Sequence, residues 1–300
     1  MNPGLVRAAA ASALLLSPAC RSGGPAEPPA SAATLTEAPS HFTRSDGLRI
    51  HYKSLGKGSE ALVFVHGWSG DLNVWRLQAP AFAGRTRMVF VDLPGHGKSG
   101  KPEIPYTMDL FARAVDAVLS DAGVARAVLV GHSMGTPVVR EFFRRFPEKT
   151  AALVAVDGSL GAFTLDPVEI EKFIAPYRSP SYREAAGRFI SSMFSNPGTE
   201  ALRDEVVATV QKTPQHVMVS AFEGMFDPTI WKEDPITVPL LVVLAKGPFW
   251  TPDYEAFVRK LAPDVDYRVL EGPGHFLMME KPEEVNALLA EFLDARSLLR

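Results

Sequence analysis

The stretch VLVGHSMGTPVV, Val128–Val139, runs large apolar side chains straight into Gly131-His132-Ser133-Met134-Gly135, and a helical pattern follows at once. An unbroken apolar run of this kind reads as a strand buried on both faces, so the helix behind it leaves only a sharp turn for Ser133. At such a turn a serine hydroxyl projects clear of the backbone, and the helix N-terminus favours negative charge developing beside it. Glycines at 131 and 135 suit that geometry, because a side chain on either would collide with the neighbouring strand or helix. The stretch therefore predicts a strand-turn-helix unit and nominates Ser133 as a nucleophile.

Similar apolar runs recur on either side: ALVFVHG from Ala61, MVFVDLPG from Met88, AVLVGHS from Ala127, ALVAVDG from Ala152 and PLLVVLAKG from Pro239. Helical-length segments separate them, and strands joined through helices are parallel, so the class is α/β with a mostly parallel central sheet flanked by helices. Ahead of them HFTRSDGLRIHYKSLG alternates and turns at Asp46-Gly47, which suits an antiparallel hairpin at the sheet edge. YTMDLFARAVDAVLSDAG carries Leu110, Ala114, Val115 and Val118 at helical spacing and ends at Gly123. From 160 to 238 the alternation stops, and a helical segment rich in Phe and Met lies before the penultimate strand. An insertion there covers the carboxyl ends of the strands, where open α/β sheets bind ligands.

Three hundred residues with 46% hydrophobic and 22% charged side chains describe a globular chain, and a net charge of −3 with scattered Lys and Arg gives no footprint for nucleic acid. A diffusible small molecule is the expected partner. After Arg7 the run AAAASALLLSPA leads to Cys20, the only cysteine. About 12 apolar residues are too few for a membrane span, which needs about 20, so residues 1–20 read as an export leader. Its cysteine resembles the lipidated first residue of a bacterial lipoprotein, with cleavage after Ala19 as the alternative. The expected location is periplasmic, membrane-tethered through Cys20, or secreted. Residues 21–40, RSGGPAEPPASAATLTEAPS, hold hardly any large apolar side chain and read as a tether, so the domain is expected to start near His41.

A serine hydroxyl needs a base to take its proton. DYRVLEGPGHF supplies one: Tyr267–Leu270 reads as a last strand, and Gly272-Pro273-Gly274 holds His275 at the mouth of the next turn. Of the other histidines, His41 and His51 fall in the edge hairpin and His216 in the inserted helices, while His132 beside the serine points elsewhere.

With VHGWSGD, VDLPGHGKS, GHSMG and GPGHF in this order, the region from about 41 to 300 resembles the α/β-hydrolase superfamily. The resemblance implies a Ser-His-acid triad acting without a cofactor, a core of 41–159 and 239–300, and a helical cap over 160–238; with no His/Cys cluster and no His-Glu-x-x-His in the sequence, no metal is expected. Most members place the acid after the strand read here as Leu240–Ala245, where this chain has Gly247 and Pro248. Asp157, one strand earlier, is the candidate acid, as in some members that draw it from that strand. Asp253, which suits the first turn of a helix, is the fallback. The oxyanion donors implied are the backbone N–H groups of Met134 and Trp68. Trp68, Phe189, Met193 and Phe222 are candidate substrate-binding residues, and they point to apolar carboxylic esters of small to medium size. Asp92, His96 and Ser99 in DLPGHGKSGKP show no spacing that demands chemistry and are assigned a structural task. Lactonase, amidase, C–C hydrolase and perhydrolase activities remain alternatives, as does a hydrolase-like binding protein without turnover. Ser133 argues against dehalogenases and epoxide hydrolases, whose nucleophile at this position is aspartate.

Overall fold

The computed structural model of the chain describes Met1, residues 34–194 and residues 196–299. The leader with Cys20 and most of the expected tether lie outside the described residues. Among the described residues eight strands form one sheet in the order β1-β2-β4-β3-β5-β6-β7-β8. The hairpin of β1 (Ser40–Ser45) and β2 (Leu48–Leu55) turns through Asp46 and Gly47, with φ of +49° and +79°. Two consecutive left-handed residues match the right-handed twist of the flanking strands, which is why Asp-Gly occurs there. β2 then pairs antiparallel with β4 (Arg87–Val91). All remaining pairs are parallel: β3 (Glu60–Val65), β4, β5 (Arg126–His132), β6 (Thr150–Val156), β7 (Leu240–Ala245) and β8 (Val265–Leu270). Every residue of β6 and β7 is buried, and apart from Thr150 they are unbroken Val, Leu and Ala, as burial on both faces requires. The edge strand β8 is partly exposed along its length.

The short helix α1 (Ala79–Phe82) precedes β4, and α2 (Met108–Asp121) starts where the Thr107 hydroxyl accepts from the Leu110 amide at 3.1 Å. α2 ends before Gly123, whose φ of +66° closes it, and it buries Leu110, Ala114, Val115 and Val118. α3 (Gly135–Arg145) follows Ser133 directly. Between β6 and β7 run α4 (Pro167–Arg178), α5 (Tyr182–Ser191), α6 (Glu200–Val210) and α7 (Gln215–Phe226). Their rings interlock on Phe222, which stacks on Trp68 at 4.1 Å and meets Phe173 edge-on at 5.0 Å. The Trp68 indole also donates to the Met218 carbonyl at 2.9 Å, so one side chain from the loop after β3 ties the inserted helices to the sheet. The return toward β7 is held by Arg140, 1% exposed, which donates to the carbonyls of Lys232 and Asp234. α8 (Pro252–Leu261), α9 (Leu277–Glu280) and α10 (Pro282–Ala295) complete the chain.

The expected domain start at His41 needs correction. Leu35 is 1% exposed in the hydrophobic core, Ala38 is buried, and the Lys53 ammonium donates to the Leu35 and Thr36 carbonyls. One leucine among small and polar residues gives no periodicity, so packing this far upstream left no trace in the sequence pattern. The DLPGHGKSGKP loop is built around a buried carboxylate. Asp92 accepts from His51 at 2.7 Å and from the Lys98 and Leu72 amides. Burial by itself pushes this carboxyl up, but the His51 hydrogen bond, the nearby His66 and the two amides outweigh that and hold it below the usual carboxylate range.

Candidate active site

β5 delivers Ser133 to the carboxyl edge of the sheet with φ of +53°, a left-handed conformation that a non-glycine residue adopts only when its surroundings enforce it. Two hydrogen bonds do so: the Ser133 amide donates to the Val156 carbonyl at 3.1 Å, and the Thr136 amide donates to the Ser133 carbonyl at 2.9 Å. The flanking glycines are needed for space. A Cβ on Gly131 would run into the Gly135 carbonyl, and one on Gly135 would lie 2.5 Å from the Val65 carbonyl at the end of β3. The loop after β3 crosses the serine just as closely, since a Cβ on Gly67 would stand 3.0 Å from that of Ser133. The backbone N–H groups of Met134 and Trp68 donate to no other group among the described residues, and both residues border the same cavity as Ser133.

His275 comes from the loop between β8 and α9. Its amide donates to the Met193 carbonyl at 3.2 Å, and its carbonyl accepts from His132 Nε2 at 2.9 Å, so the backbone is clamped from the inserted helices and from β5. The imidazole meets Asp157: Nδ1 lies 2.7 Å from Oδ2, with both side chains largely buried. A carboxylate oxygen accepts, so Nδ1 carries the proton and Nε2 is left as a base. Asp157 itself sits at the end of β6 with φ of +43°, and its amide donates to the Val243 carbonyl at 2.8 Å. Its second oxygen, Oδ1, accepts from the Ala245 amide at 2.8 Å and from the Trp250 indole at 3.1 Å. Asp253 stands in the first turn of α8 and makes no hydrogen bond to His275.

These groups open onto a cavity of about 830 Å³. Trp68, Phe189, Met193 and Phe222 all border it, as do Ser133, Asp157 and His275. Phe163 and Phe249, 56% and 68% exposed, also border it and pack edge-to-face at 5.9 Å. Charged residues on the wall are few: Glu169, Lys172 and Lys246 beside Asp157, with Lys246 paired to Glu271 at 2.7 Å. Among the described residues no group of three or more His, Cys, Asp or Glu is placed to hold a metal ion. Behind the site, burial pushes His132 well below the ordinary imidazole range, with His275 adding to the effect, and burial likewise lowers His66. Burial and then the neighbouring His66 bring His96 down to about 3.

The family model of the alpha/beta hydrolase family matches residues 62–288. The chain belongs to the alpha/beta hydrolase family. Among its relatives, a dihydrolipoyllysine-residue acetyltransferase component of an acetoin cleaving system from Pseudomonas putida is 28% identical over 79% of this chain, which spans 64% of that protein's length. A 2-hydroxy-6-oxononadienedioate/2-hydroxy-6-oxononatrienedioate hydrolase from Burkholderia vietnamiensis is 30% identical over 82% of this chain and 91% of its own. Among solved structures, Est816, described as an N-acyl homoserine lactone degrading enzyme, is 26% identical with a TM-score of 0.70, covering 84% of this chain and 100% of its own.

The Trp250 contact was not legible in the sequence. KGPFW carries no carboxylate, and a neutral donor reaching back to an acid one strand away has no motif. His132 points away from the serine hydroxyl, as expected, and its Nε2 supports the His275 loop through the His275 carbonyl.

Proposed function

We propose that the protein is a serine hydrolase that cleaves carboxylic esters with an apolar acyl or alcohol part, through an acyl-enzyme and without a cofactor. The observation that carries this reading is the His275–Asp157 contact of 2.7 Å in the cavity that also holds Ser133 on its strained turn. In the mechanism, Nε2 of His275 takes the Ser133 proton as Oγ attacks the acyl carbon, and Asp157 orients the imidazole and stabilises its charged form. The N–H groups of Met134 and Trp68 meet the developing oxyanion; each such donor contributes about 3 kcal/mol to lowering the barrier. His275 then returns the proton to the leaving alcohol, and water activated by the same imidazole releases the acid.

Apolar ester chemistry is favoured over strongly anionic substrates because aromatic and Met side chains dominate the cavity wall. The similarity to a 2-hydroxy-6-oxononadienedioate/2-hydroxy-6-oxononatrienedioate hydrolase supports C–C bond hydrolysis as the second reading. Initial rates of the full chain on aryl esters of increasing acyl length, with Ser133→Ala alongside, test the proposal. Turnover by the wild type, abolished in the variant, is expected, with rates rising with acyl length until the cavity is filled. A wild type silent on every ester but active on a vinylogous 1,5-diketone would overturn the ester reading in favour of C–C hydrolysis.

A further inference from the structure

The loop that holds the acid in most proteins resembling this chain does a different task here. We propose that Trp250 is a positioning residue that holds Asp157 through its indole N–H, so that the carboxylate presents Oδ2 to His275 alone. This inference rests on the triad reading above and assigns a role to the loop following β7.

The Asp157 carboxylate has three hydrogen-bond partners among the described residues, and they are divided unequally. Oδ2 meets only His275 Nδ1, at 2.7 Å, while Oδ1 takes both the Ala245 amide at 2.8 Å and the Trp250 Nε1–H at 3.1 Å. Rotation of a carboxylate about its last torsion is soft, so its facing is set by what its oxygens bond. Donors to a charged oxygen are the stronger class of hydrogen bond, and two of them on one oxygen hold the other in line with the imidazole. The Ala245 amide belongs to the end of β7 and is present whatever the side chain. Among the described residues Trp250 is the one side-chain donor to Oδ1, and its ring is itself fixed: Tyr254 packs against it at 5.0 Å, and the Tyr254 hydroxyl accepts from the Leu160 amide at 2.9 Å. Trp250 also borders the cavity and lies 6.1 Å from the exposed Phe163. A substrate seated against the mouth therefore touches the same ring that aligns the acid.

Trp250→Phe keeps an aromatic wall and removes the donor. The expected result is a kcat on the preferred aryl ester lower by about 10-fold, the range of one hydrogen bond to a charged group, with KM changed by less than about two-fold. In an Asp157→Ala background the same substitution should change the rate by less than about two-fold, because a residue that acts through the carboxylate has nothing left to align. The downfield proton resonance of the His275–Asp157 hydrogen bond should shift or broaden in Trp250→Phe while the melting temperature holds. If Trp250→Phe does not fold, 3-benzothienylalanine in place of Trp250 keeps the bicyclic shape and lacks only the N–H. An unchanged kcat and resonance, an equal loss in both backgrounds, or a loss carried by KM would overturn the proposal. A wild type inactive on esters would overturn the ester reading alone, since the resonance reports on Trp250 without turnover.

Discussion

Ser133 and Asp157 end adjacent strands, both left-handed, with φ of +53° and +43°. A non-glycine residue in that region carries about 1–2 kcal/mol of strain, and the packing around the two turns maintains it. Gly158 joins them, because a Cβ there would drive into the Thr136 side chain and stand 2.7 Å from the Ser133 carbonyl. Gly158→Ala is therefore expected to lower unfolding free energy by about 1–3 kcal/mol, read from the urea midpoint, and to cut activity together with it. The two carboxylates differ more sharply. Asp157→Asn should reduce kcat by about three orders of magnitude or more, whereas Asp253→Asn, at a helix start away from His275, should leave it near wild type. A kinetic comparison giving the reverse order would move the acid to α8. At this scale GHSMG and GPGHF told most of the story, since strand, glycines and turn residues are local. The support of Asp157 by Trp250 was not visible, because it joins residues 93 positions apart without a repeating pattern.

At the scale of elements, the strands of the parallel sheet were legible because burial on both faces forces unbroken apolar runs. The segment between β6 and β7 was legible as helical, but its Phe and Met side chains looked alike until placed. In the structure Phe222 on α7 is 2% exposed, and Trp68, Phe173, Tyr177, Phe189 and Phe226 surround it. Phe222→Ala should cost about 3–5 kcal/mol in unfolding free energy, measured by urea denaturation, since such a ring leaves a cavity that its neighbours fill only partly. The same variant should shift the preferred ester toward longer acyl chains, because Phe222 also borders the site. The early packing of Leu35 escaped the sequence because a single side chain carries no period.

Over the whole molecule, three buried histidines with depressed imidazoles contribute to the response to acid. His66, His96 and His132 are all held below the ordinary imidazole value, chiefly by burial, so the folded chain keeps them neutral where the unfolded chain takes up protons. Their contribution is complete above about pH 6.5 and is lost as pH falls toward the depressed folded values, at about 1.4 kcal/mol per pH unit for each. Unfolding free energy should therefore drop between pH 7.5 and pH 5.5, by about 1.4 kcal/mol from His96 alone, and a flat profile from urea titrations over that range would contradict the burial of neutral imidazoles. These residues surround the loops that position Ser133, so acid weakens the same framework on which the proposed chemistry depends. The central claim is that this framework activates one serine. Fluorophosphonate labelling of the full chain, followed by peptide mapping, tests it without knowledge of the substrate. One label per chain on Ser133, slowed by about two orders of magnitude or more in His275→Ala, is the predicted result. Labelling elsewhere, or at an equal rate in the variant, would contradict it.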